Sequence, residues 1–142
     1  MHWLLYCSPG EAREAPMGQF IRHITYKGKD IIFMDAKGAN EEEGIAAWEE
    51  MRQELLRLPG AHLTLIDATD IALTPAVLRK AKESTRRKAD PGTRTVFVGM
   101  NSIQRTTAEL VARGMHLNVH FCATLDEGKE WLVQEDDKHG RT

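Results

Sequence analysis

Leu63-Thr64-Leu65-Ile66-Asp67-Ala68-Thr69, followed shortly by Thr74-Pro75, is the stretch that decides how this chain reads. A compact apolar run closed by an aspartate is a buried strand. Threonine then proline is a helix start, because proline at the first helical position gives up an amide that would be orphaned anyway. A buried strand feeding directly into a helix is the repeating unit of an α/β fold.

The same alternation continues in both directions. Upstream, Ile21–Tyr26 and Ile31–Asp35 flank the turn-rich Lys27-Gly28-Lys29-Asp30 and read as a hairpin. Asn40 caps the next helix and Glu43 completes a capping box. Ile45, Trp48, Met51, Leu55 and Leu58 supply its buried stripe, and Pro59-Gly60 stops it.

Downstream, the helix opened by Pro75 runs to about Ala89, before Asp90-Pro91-Gly92. Thr95–Val98 is the next buried strand. Ser102 opens a helix carrying Ile103, Leu110, Val111 and Met115 inward and ending near Gly114. Val119–Ala123 is the last strand, and Thr124-Leu125-Asp126-Glu127 is a second capping box. The helix it opens buries Trp131 and Leu132.

Strands separated by single helices pair in parallel through right-handed crossovers. The expected fold is therefore α/β: a five-stranded mixed, mostly parallel sheet with an N-terminal antiparallel hairpin and four helices. Residues 1–16, with Pro9, Gly10 and Pro16, read as a loose extension or a short anchor packed on the domain. The domain proper spans 17–135, and the polar tail 136–142 reads as disordered.

The 142 residues are one domain's worth, and 42% hydrophobic with 28% charged residues is an ordinary soluble balance. A net charge of −2 gives no reason to expect general nucleic-acid or membrane binding. Cys7 and Cys122 lie in no metal or redox spacing and read as two free thiols, with a disulfide left open. The apolar start, Met1 to Cys7, is too short and lacks the basic flank of a signal peptide. A cytoplasmic protein is expected.

The even balance hides an asymmetry. The Pro75–Ala89 helix holds Arg79, Lys80, Lys82, Arg86, Arg87 and Lys88 against Glu83, whereas the Asn40–Leu58 helix is rich in glutamate. Two solvated faces explain this. So would a basic docking face for an acidic protein, a phosphate-bearing ligand or anionic lipid, or opposite patches pairing in a homodimer. No aromatic residues interleave the basic ones to stack bases, so nucleic acid is not expected.

Asp67, Thr69, Asp70 and Thr74 sit at the carboxyl end of a central strand, where open α/β sheets gather ligands and a helix start offers amide donors. They also suit the plainer task of capping and shaping a tight loop. With Arg79, Lys82 and Arg86 they form the candidate ligand- or partner-binding set. No catalytic, cofactor-binding or metal constellation is assembled: His116 and His120 are four apart, but a helix end and a strand start separate them.

Four segments, taken in order, resemble the SpoIIAA-like proteins of the STAS superfamily: Ile24–Asp35, Leu65-Ile66-Asp67-Ala68-Thr69, Val96-Phe97-Val98-Gly99 and Asp126–Leu132. The resemblance implies a non-enzymatic binding or regulatory module without cofactor. Sporulation-type relatives antagonise anti-sigma factors through a serine phosphorylated just after the strand matching Leu63–Ala68. Here Leu73-Thr74-Pro75-Ala76-Val77 occupies that place without a serine, and Thr74 reads as a cap. The phosphoserine switch is therefore absent. The branch is also similar in fold to CRAL-TRIO lipid carriers, which implies the alternative of a small lipid or apolar ligand with reversible membrane-surface contact.

Overall fold

The computed structural model describes residues 18–85 and 92–140. The N-terminal extension, and Arg86 to Ala89 of the basic helix, lie outside the described residues. Five strands form one sheet: β1 (Ile21–Tyr26), β2 (Lys29–Asp35), β3 (Leu63–Asp67), β4 (Arg94–Val98) and β5 (Val119–Cys122). Four helices accompany them among the described residues: α1 (Glu41–Arg57), α2 (Pro75–Thr85), α3 (Ser102–Gly114) and α4 (Leu125–Gly140). Only β1 and β2 pair antiparallel; β2 to β5 are parallel. This is the fold expected from the alternation.

The hairpin closes tightly because Lys27 and Gly28 both take positive φ, 50° and 81°, the geometry whose twist matches two right-twisted strands. Strand order then follows chain order, β1-β2-β3-β4-β5. Each parallel crossover advances the same way, so right-handed connections place α1, α2 and α3 on one face. Among the described residues only α4, which follows β5, covers the other.

Side-chain alternation along the strands feeds two cores. Met34 and Ile66 pack with Trp48, Met51 and Leu55 of α1 and Val77 of α2. On the opposite face Ile31, Leu65, Val96 and Val98 pack with Leu132 of α4. The hairpin is tied to α4 as well: the Tyr26 hydroxyl and Lys27 Nζ donate to Glu130 Oε1 and Oε2, each at 2.6 Å.

The caps at Asn40 and Thr124 form as expected. Asn101 caps α3 in a reciprocal box with Gln104, which the sequence reading had passed over. Two expectations are corrected. Helix α4 runs through Asp136 to Gly140, because nothing between is a strong helix breaker. In α3, Ile103 and Leu110 point to solvent, and Ala108 and Ala112 are the buried residues. The helix presents a small-residue face to the sheet.

Candidate functional site

The carboxyl edge of the sheet holds the expected Asp67–Thr74 loop, and here the strand order matters. Crevices form at that edge where the order reverses. Here the order does not reverse, and the loops are laced to one another instead. Ala36 N donates to Asp67 O, Gly38 N to Thr69 O, Ala68 N to Val98 O and Ala72 N to Ala39 O, all at 2.7–3.0 Å. Gly99 follows β4 with a φ of +84°, and a Cβ there would lie 2.0 Å from Thr69 Oγ1.

The side chains are spent in the same way. Asp67 is buried, and its Oδ1 accepts from Thr69 N at 3.1 Å and from Thr69 Oγ1 at 2.7 Å. Thr74 Oγ1 accepts from Val77 N at 3.3 Å, a helix cap. Asp70 is an exposed turn residue with φ +57°. The open, ligand-ready rim expected around Asp67 is thus a closed, self-bonded loop.

The basic and acidic helices are not two opposed poles. They are neighbours on one face, and Lys80 Nζ meets Glu49 Oε1 at 2.6 Å and Glu83 Oε1 at 3.0 Å. Arg52 grips the same Glu49 through Nε and Nη2. Hydrogen bonds from Arg52 first, then Lys80 and Gln53, hold the Glu49 carboxyl well below the usual carboxylate range. Arg79 and Lys82 are exposed and make no salt bridge among the described residues. Arg86 lies outside them.

His23, His62 and His120 each have a partner. His23 Nε2 pairs with the buried carboxylate of Glu54, which also holds Arg57. Burial pushes the Glu54 carboxyl up, but the bonds from Arg57 and His23 outweigh it and leave it lowered. His62 Nε2 bonds Leu58 O at 2.9 Å, and His120 stacks on Trp131 with centroids 4.4 Å apart. Cys122 is a free thiol whose pKa is raised by burial and by nearby Glu127.

The concave feature that the sequence reading did not find lies between α2 and α3. A cleft of about 90 Å³ opens there over the middle of β3 and β4. Trp48 and Met51 of α1, Leu78 and Ala81 of α2, Ala108 and Ala112 of α3, and Ile66 and Phe97 of the sheet line it. It exists because α3 lays alanines over the sheet where larger side chains would fill the layer. Two contacts bridge its ends: Gln104 Nε2 to Ile71 O at 2.9 Å, and Thr85 Oγ1 to Met115 Sδ at 3.9 Å. Of the candidate residues that are described, Lys82 alone lines this cleft.

Order, pairing and helix placement together define an α/β domain of SpoIIAA-like fold. A solved structure shows the same arrangement: an uncharacterized protein of the DUF3478 family with a SpoIIAA-like fold, from Shewanella loihica PV-4. It superposes with a TM-score of 0.62 at 14% identity, over 79% of this chain and 91% of that one. No protein-family model and no curated protein sequence matches this chain. Among the described residues, no helix is long and apolar enough to cross a membrane.

Proposed function

We propose that this chain is a non-enzymatic binding module that receives a small apolar ligand between α2 and α3. The observation that carries the reading is the cleft itself, an almost wholly apolar hollow between α2, α3 and the sheet. Such hollows, with a few polar groups, are the usual form of a small-molecule site.

Its size sets the ligand. At about 90 Å³ the cleft is smaller than the roughly 150 Å³ apolar cavity that admits benzene. A longer molecule fits only if α3 moves outward. That helix is the lightly held wall, since its buried side chains are alanines and its larger apolar ones, Ile103 and Leu110, face solvent.

Calorimetric titration with straight-chain alcohols tests the reading. Burial of a methylene stabilises the complex by about 0.8 kcal/mol, so affinity should rise roughly fourfold per carbon from butanol until the cleft is full. Ala108→Leu, which fills the cleft, should remove binding. A chain-length series with no rise in affinity, or an Ala108→Leu variant that binds as well, would overturn the proposal.

A second reading, capture of an acidic protein by α2, is favoured by Arg79 and Lys82. Their joint reversal to glutamate should then abolish a pull-down partner without moving the thermal midpoint. A partner retained by that variant would dismiss the second reading.

A further inference from the structure

The cleft is graded from end to end, and its polar end restricts the ligand. Ile71, Leu73 and Met100 line the part nearest the carboxyl edge of the sheet. Toward the other end Leu55, Leu117 and Val119 are joined by Thr64, Thr93, Thr95, Thr85 and Lys82. Helix α2 runs antiparallel to β3 and β4 in a right-handed crossover, so its last turn, with Lys82 and Thr85, lies over the end where those strands begin.

Thr64 and Thr95 are register partners on adjacent parallel strands. Thr64 is 5% exposed, and neither hydroxyl has a hydrogen-bond partner among the described residues. The other two threonines differ. Thr93 Oγ1 accepts from His62 N at 3.1 Å, and Thr85 Oγ1 donates to Ala81 O at 3.0 Å. Thr95 is half-buried, and neither hydroxyl is among the sealed, unpartnered polar atoms, so both stand open to the cleft side by side as free donors. Among the described residues no aspartate or glutamate lines the cleft, and Lys82 makes no salt bridge, unlike Lys80 two positions earlier.

We propose that the ligand is an alkanoate: an apolar chain with its carboxylate at the Thr64–Thr95 end of the cleft, beneath Lys82. Two hydroxyls and an ammonium offer donors, so the head that fits them is an acceptor carrying negative charge. An ammonium head meets the Lys82 charge and no counter-ion. The inference rests on the apolar-cleft reading and adds the chemistry of the head group.

Calorimetry of the full chain with octanoate, octanol and octylammonium, which share one tail, tests it. Octanoate should bind about tenfold tighter than octanol, with octylammonium weakest. Lys82→Gln, at an exposed position, should bring octanoate down to the level of octanol and leave octanol unchanged. The near-isosteric Thr64→Val/Thr95→Val variant should weaken octanoate more than octanol. Equal affinity of octanoate and octanol for the unaltered protein would overturn the carboxylate assignment and leave the apolar cleft standing. Binding of none of the three would overturn both.

Discussion

Helices α4 and α3 each lay a small residue against the sheet, with opposite results. A Cβ at Gly128 of α4 would come within 2.7 Å of Leu65, 3.1 Å of Val96 and 3.3 Å of Val98, so helix and sheet already touch. Ala108 and Ala112 of α3 border an open cleft instead. A small residue permits close approach only when the helix does approach. Helix α4 is drawn down by Leu132 and by the ties from Tyr26 and Lys27 to Glu130. Helix α3 has no large buried anchor of its own.

The contrast can be broken by changing volume on each side. Leu132→Ala should cost about 2–5 kcal/mol in urea unfolding, because a fully buried side chain leaves a void in a layer with little room to collapse. Gly128→Ala should cost about 1–3 kcal/mol by overpacking, despite the better helix propensity of alanine. Ala108→Leu adds more atoms, yet should stabilise by about 0.5–1 kcal/mol, because it fills existing space. If Ala108→Leu destabilised as Gly128→Ala does, the α3 side would be as closely packed as the α4 side.

The smallest effect concerns the clasp that holds α1 to α2 and so fixes one wall of the cleft. The folded pKa of Glu49 lies below its unfolded value. Its contribution is therefore complete above the ordinary carboxylate pKa of about 4.3 and is lost as pH falls through the folded value. Glu49→Gln should be less stable than the parent by under about 1 kcal/mol at neutral pH, given the partial exposure of the pair. The gap should close as pH falls from about 5 toward 2, followed by thermal unfolding.

The fold was readable because its signals are local. Asn40 with Glu43, Thr74 with Pro75 and Thr124 with Glu127 mark helix starts within four residues, and the β3 run is buried from end to end. The site was not, because it depends on what packs beside what. Ile103 and Leu110 have the spacing of a buried stripe, but the helix is turned so that alanines face inward. Asp67 was singled out for its place at the carboxyl end of a central strand, but a crevice there also needs a reversal of strand order, which no local pattern reports. Thr64 and Thr95 look like ordinary strand threonines until the β3–β4 register sets them side by side.

Strand order that follows chain order also has a bearing on biosynthesis. Each new strand can dock on the one just made, so contacts stay near in sequence and assembly can proceed as the polypeptide emerges. The exception is the surface bearing Leu65, Val96 and Val98, whose cover is the helix that comes after all five strands. During translation that surface is bare and adhesive until α4 has left the ribosome. A stalled or shortened nascent chain would therefore present it to chaperones or to other copies of itself.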